Sequence, residues 1–357
     1  MTFDREGRTV SGSGLYAAEV DAAHAACVVI PVPFEATVSY RPGTARGPEA
    51  ICRASQQVDL LDMDVGAVHE AGVGMETADP EIVRVGGEAR SAAVRVLAAL
   101  TADRTPDPAD YAVVDSAGAL VSSQTRKRVA AVLGDGRLPV VLGGDHSVSL
   151  GSLTACAAEL GRASLGVLQI DAHADLRETY QGFRWSHASV MCNALQSIPS
   201  LRLHQVGVRD FCVEELERAR TDERVTTWFD RQLRKARLAG RFPEAAHAIA
   251  EALPRNVYVS LDIDGLDPAC CPNTGTPVPG GLSFDEAVCV LEAVVRSGRR
   301  IVGADLTEVS PGPLCDDSEL DGWDAIVGAR LLYKLIGFAL RSRGRLPAAG
   351  PELAAGP

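Results

Sequence analysis

The chain contains no GxxxxGK[ST] loop to cradle phosphates and no GxGxxG turn after its first predicted strand. These absences argue against an ATPase and against a dinucleotide enzyme. It also lacks a GxSxG nucleophile elbow and an HExxH helix, which removes two common hydrolase designs. No apolar run approaches the ~20 residues of a membrane span. The N-terminus, MTFDREGRTVSGSG, is polar and has no apolar signal core. The nine cysteines are scattered, odd in number and without a CxxC pair, which reads as a reduced, cytoplasmic protein. The adjacent Cys270 and Cys271 read as small buried or loop thiols. Positive charge is in deficit: the net charge of −12 disfavours nucleic acid or an anionic membrane as partner and favours a cationic small substrate.

What is present is enough for a large core. Of 357 residues, 46% are hydrophobic, which excludes disorder for most of the chain. Residues 1–24 read as a flexible arm, 25–342 as one catalytic domain and 343–357, rich in Ala, Gly and Pro, as a disordered tail. Strands are expected at 26–33, 138–142, 164–170, 201–208, 256–263 and 300–309. Helices are expected near 48–57 and at 81–100, 123–134, 147–160, 186–197, 212–221, 243–252, 283–297 and 321–340. The stretch 101–120, mixing Pro, Asp and Ala, reads as a surface insertion with a short strand. Strands that alternate with helices predict a parallel sheet covered on both faces.

Three of these strands end in metal-capable residues. The run SLGVLQI leads into Asp171-Ala-His173-Ala-Asp175, VVLGG into Asp145-His146, and VYVSL into Asp262-Ile-Asp264. Alternate positions near a strand end point to one side, so these side chains can converge. The bland alternative for any one motif is an Asp-rich loop after a strand. Three motifs at the carboxyl ends of parallel strands, where α/β sheets bind ligands, outweigh it.

The set His146, Asp171, His173, Asp175, Asp262 and Asp264 offers four carboxylates and two imidazoles. Four negative charges suit two divalent ions, ~3.5–4 Å apart in paired sites. The oxygen-rich donors favour manganese over zinc.

At these residues the chain resembles the ureohydrolase family, which includes arginase, agmatinase and related amidinohydrolases. GGDHS, DAHAD and SLDIDGLDP match the family's three metal motifs in order, and the resemblance spans roughly 26–340. It implies a three-layer α/β/α sandwich around a mostly parallel, roughly eight-stranded sheet, a trimer or hexamer, and hydrolysis of a guanidino group to urea and an amine. The implied cofactors are two Mn2+ per subunit, with nickel used by some relatives. One ion would sit on His146, Asp171, Asp175 and Asp262, the other on Asp171, His173, Asp262 and Asp264. Asp175 would orient the nucleophile, Glu308 would pair with the guanidinium, and His187 would shuttle a proton to the leaving amine. His24, His69, His204 and His247 lie outside the motifs and read as structural or exposed.

Substrate choice rests on the loops. The 176–189 loop, LRETYQGFRWSHAS, lacks the Asn- and Ser/Thr-rich pattern of arginases. TVSYRPGT, DAHADLR, SHASV and GTPVPGGLS look like agmatinases, so agmatine, giving putrescine and urea, is the leading expectation. Arg184 could instead receive the carboxylate of 4-guanidinobutyrate or 3-guanidinopropionate; otherwise it is a solvent-exposed or subunit-contact residue. Arginase activity and a non-catalytic metal-binding relative are the remaining alternatives.

Overall fold

The computed structural model describes residues 14–17, 20–312 and 322–346. The expectations for 1–13, 18–19, 313–321 and 347–357 lie outside the described residues. Within the segment read as an arm, Leu15 and Tyr16 are packed into the core. The Tyr16 hydroxyl donates to the Ala329 carbonyl at 2.9 Å.

Eight strands form one sheet: β1 (Cys27–Val32), β2 (Val73–Met75), β3 (Leu138–Gly143), β4 (Leu165–Ile170), β5 (Leu201–Val206), β6 (Val225–Trp228), β7 (Asn256–Asp262) and β8 (Arg300–Thr307). Their order is β2-β1-β3-β8-β7-β4-β5-β6. Every pair is parallel, so all eight carboxyl ends lie along one edge. The helices are α1 (Gly47–Ala54), α2 (Pro80–Thr101), α3 (Pro108–Gly134), α4 (Ser149–Leu160), α5 (Val190–Ser197), α6 (Val213–Thr221), α7 (Asp230–Leu238), α8 (Phe242–Ala252), α9 (Phe284–Arg296) and α10 (Trp323–Ser342).

The expected three layers follow from strand alternation. Val29, Val140, Ile170 and Val259 face a core shared with α1, α8, α9 and α10. Residues at the alternate positions, Val28, Val141, Val167 and Tyr258, face a second core built with α2, α3, α4 and α5. A sheet buried on both faces explains why its strands read as continuous apolar runs.

The 101–120 expectation is overturned. There is no strand there. Residues 108–134 form one 27-residue helix, which absorbs both the supposed insertion and the helix expected from 123. The Asp107 side chain accepts from the Ala109 amide at 2.9 Å, and Pro108 occupies the first helical turn. Proline is tolerated there because that amide has no intrahelical partner. The residues read as breakers are therefore a helix start.

Candidate active site

The site is built on the carboxyl ends of β3, β4, β7 and β8, the four central strands. His146 opens a short turn after β3, with Asp145 as its cap: the Asp145 carboxylate accepts from the Ser147 amide at 3.0 Å. Asp145 is thus a buried structural acid. Asp171 and Asp262 close β4 and β7, and the Asp262 carboxylate accepts from the Asp264 amide at 2.9 Å.

The predicted side chains come together. His146 Nδ1 lies 3.0 Å from Asp171 Oδ2, 3.1 Å from Asp175 Oδ2 and 3.4 Å from Asp262 Oδ2. His173 Nδ1 lies 3.1 Å from Asp264 Oδ2 and 3.6 Å from Asp171 Oδ1. Two donor groups result, His146–Asp171–Asp262 and Asp171–His173–Asp264, each with ligand atoms within 4.8 Å of one another. Asp171 belongs to both. Asp175 and Glu308 are held in the left-handed backbone region, φ 53° and 60°, which non-glycine residues seldom adopt.

The electrostatics fit divalent cations. Asp171, Asp175, Asp262, Asp264 and Glu308 are all buried. Among the described residues, no lysine or arginine forms an ion pair with any of them. Burial, then the charge of neighbouring carboxylates, pushes the Asp175 and Asp262 carboxyls up. Burial also raises Asp171, but the His146 and His173 imidazoles outweigh it and hold that carboxyl below its usual range. His146 Nδ1 is buried facing three carboxylates and makes no hydrogen bond, which fits a metal-donor nitrogen. Buried charge of one sign is costly unless paired or metal-bound.

Hydrogen bonds behind the ligands aim them. His146 Nε2 contacts Ser260 Oγ at 2.8 Å, and Ser260 donates to Asp305 at 3.0 Å. Thr227 donates to Gln205 at 2.9 Å, Gln205 to Gln169 at 2.8 Å and Gln169 to Asp171 at 2.7 Å, a relay across β6, β5 and β4. Arg209 donates to the carbonyls of Asp264, Leu266 and Val278 at 2.7, 3.1 and 3.0 Å. It thereby ties the third motif to the 276–278 loop.

Glu308 Oε1 accepts from the His146 amide at 2.9 Å, and burial, then Asp145, raises its carboxyl. His187 Nδ1 contacts Thr37 Oγ1 at 3.2 Å. Burial, then the His173 and His146 imidazoles, lowers its pKa to about 3. A cavity of about 410 Å³ opens over His173, Asp175 and His187, walled by Tyr40, Arg41, Arg177, Tyr180, Asp210 and Thr276. Arg184 is exposed and is not among the residues lining it. Sequence reasoning missed Gln169, Gln205, Ser260, Arg209 and most of the cavity wall. Only a polar residue inside an apolar strand, such as Gln169 in SLGVLQI, carried a signal.

The arginase family model matches residues 25–337. The chain is 36% identical over 284 residues to an N(1)-aminopropylagmatine ureohydrolase of Thermus thermophilus, covering 80% of this chain and 82% of that protein. It is 30% identical over 288 residues to an agmatinase of Halalkalibacterium halodurans, covering 80% and 83%. The agmatine ureohydrolase of Thermoplasma volcanium has the same fold, with a TM-score of 0.70, 24% identity and 94% and 97% coverage. Three motifs in order, one eight-stranded parallel sheet and a family match over nearly all of the folded chain have one reading: this chain belongs to the arginase family.

Proposed function

We propose that this protein is a two-manganese ureohydrolase that releases urea from agmatine, with nickel as the alternative metal. The observation that carries the proposal is the pair of donor groups sharing Asp171, open to a cavity that Asp175 and His187 also line. One ion is assigned to His146, Asp171, Asp175 and Asp262, the other to Asp171, His173, Asp262 and Asp264. Two divalent ions bound there would supply Lewis acidity and a readily ionised water. Glu308, which is buried and not among the residues lining the cavity, is assigned to the guanidinium on the family resemblance. Asp175 orients the water that adds to the guanidinium carbon. As the bond to the alkyl nitrogen breaks, the departing amine takes a proton that the attacking water gives up; His187, neutral and with its Nδ1 facing Thr37, is assigned to relay it through Nε2. Three carboxylates line the cavity, Asp175, Asp210 and Glu215, against two guanidiniums, Arg41 and Arg177. Arg177 is itself paired with Glu215 at 3.4 Å. With Asp175 assigned to an ion and Glu215 paired with Arg177, Asp210 and Arg41 remain for the substrate's far end, and Asp210 is the group that would meet an ammonium.

Asp210 is 67% exposed at its side chain and stands 3.9 Å from His173 Nε2, so a longer amine could also meet a carboxylate on leaving the cavity. N(1)-aminopropylagmatine, the substrate in the names of several relatives, is therefore the second cationic candidate. Arg41 supports the other reading, a guanidino acid such as 4-guanidinobutyrate. The test is urea release by manganese-loaded protein from agmatine, N(1)-aminopropylagmatine, arginine, 4-guanidinobutyrate and 3-guanidinopropionate in parallel. Preference for either agmatine supports the proposal. Preference for an acid substrate moves the assignment to Arg41, and no urea from any of them overturns it.

The catalytic unit is assigned to 25–342. A homo-oligomer, trimer or hexamer, is the expected assembly, readable by light scattering. No helix among the described residues is long and apolar enough to cross a membrane; a cytoplasmic location stays part of the proposal.

A further inference from the structure

The first half of α3 lies against the loop that carries Tyr180 and His187, and the contacts match residue for residue. The Tyr111 hydroxyl donates to the Gln181 carbonyl at 3.2 Å. Its ring packs on Phe183 with centroids 5.3 Å apart. A Cβ on Gly182 would lie 2.6 Å from that same ring. One turn further along α3, Asp115 faces Arg184: burial raises its carboxyl, while the Arg184 amide and guanidinium pull it back. Next, Gly118 accepts Trp185 so closely that a Cβ there would lie 2.5 Å from the Trp185 Cβ.

Residues 111, 115 and 118 are spaced i, i+4 and i+7, one stripe of a helix. Seven helical residues rise about 10 Å, and three extended residues span about the same length. The loop from 182 to 185 therefore runs along the helix in step with it. At one end, Tyr180 and Phe183 exchange backbone hydrogen bonds of 3.1 and 2.9 Å. Gln181 and Gly182 both have positive φ between them, the geometry of a tight primed turn. At the other end, Ser186 caps the short turn that starts at His187. Tyr180 presents its ring edge to His187, with centroids 6.0 Å apart and planes at 80°, and takes the Arg177 guanidinium at 5.0 Å.

We propose that the 108–122 half of α3 is a rail that sets the position of His187 and Tyr180, so that Tyr111, Asp115 and Gly118 are positioning residues for the reaction. This rests on the role given to His187 above. None of the three is among the residues lining the cavity, so they act only through the loop. A misplacement of about 1 Å in a reacting group can cost on the order of 100-fold in rate.

The test uses full-length, manganese-loaded protein and two readouts, steady-state urea release and hydrogen exchange of the 178–189 amides. Tyr111→Ala and Gly118→Ala should lower kcat on the order of 10- to 100-fold, leave metal content at the wild-type value and speed exchange across 178–189. Tyr111→Phe keeps the ring and should recover most of kcat. Gly134→Ala, on the same helix with nothing within 4 Å of its Cβ, should behave as wild type. Wild-type kcat and wild-type loop exchange in Tyr111→Ala would overturn the rail. So would a kcat loss matched by Gly134→Ala, or one accompanied by metal loss. If the wild type releases no urea, the functional reading fails, and the exchange experiment alone decides whether α3 holds the loop.

Discussion

Two acidic clusters in this molecule are handled in opposite ways. Asp62 and Asp64 share Lys334, whose ammonium lies 2.8 Å from Asp62 Oδ1 and also contacts Asp64 Oδ2. Burial acts to lower the Lys334 pKa, and the two carboxylates more than offset it. At the carboxyl edge of β3, β4, β7 and β8, the buried carboxylates of Asp171, Asp175, Asp262, Asp264 and Glu308 meet two imidazoles, and among the described residues none of them forms an ion pair with a lysine or arginine. Where the chain needs only structure, it supplies its own cation. Where it needs chemistry, it leaves the charge open and surrounds it with aiming hydrogen bonds from Gln169, Ser260 and Arg209.

The contrast is broken most severely by Asp171→Asn, which removes the carboxylate common to both donor groups. Urea release should fall by three orders of magnitude or more, on the scale of losing metal chemistry altogether. Metal analysis should find fewer than two ions per chain, and wild-type turnover with two ions retained would contradict the shared role. Removing metal from the intact protein is the next largest change. Chelation should lower Tm by on the order of 5–15 °C, since ions bound only to the folded state stabilise it. An unchanged melting curve would mean that the site tolerates its own charge.

A smaller effect comes from a buried group with no partner of either kind. His204 on β5 leaves its Nδ1 unbonded, and burial, then Arg202, lowers its pKa to about 4. The unfolded chain therefore takes up that proton first as pH falls. Stability should drop by up to about 3 kcal/mol between pH ~6.5 and ~4. Denaturant titrations of His204→Leu should lose that slope, and an unaltered slope would place it elsewhere. Least of all, Lys334→Met should cost about 1–2 kcal/mol, because the pair is only partly buried. Its kcat should be that of the wild type, and a loss of turnover would join the two clusters that are here kept apart.

The same division decides what could be read from the residues alone. The central strands and their motifs were legible because burial on both faces forces continuous apolar runs, and the ligands follow them directly. The runs expected at 138–142 and 164–170 became Leu138–Gly143 and Leu165–Ile170. The edge strands Val73–Met75 and Val225–Trp228 were too short for any period to register, and α7 was lost among charges. For α3, Pro106 and Pro108 signalled a break where the physics of a helix start applied. Arg209 had no local signature at all, because its partners Asp264 and Val278 lie 55 and 69 residues away. His187 was found through resemblance, whereas the helix that holds its loop had to be seen in three dimensions.

The left-handed backbone at Asp175 and Glu308 has a practical consequence for anyone dissecting this centre by mutagenesis. A scan with alanine would remove the carboxylate and, at Asp175, also a residue type that tolerates this backbone better than alanine does, so its losses there could not be apportioned between chemistry and fold. Asn tolerates positive φ better than most residues. Asp175→Asn and Glu308→Asn are therefore the informative pair, with Asp175→Gly and Glu308→Gly as companions that relax the main chain while removing the acid.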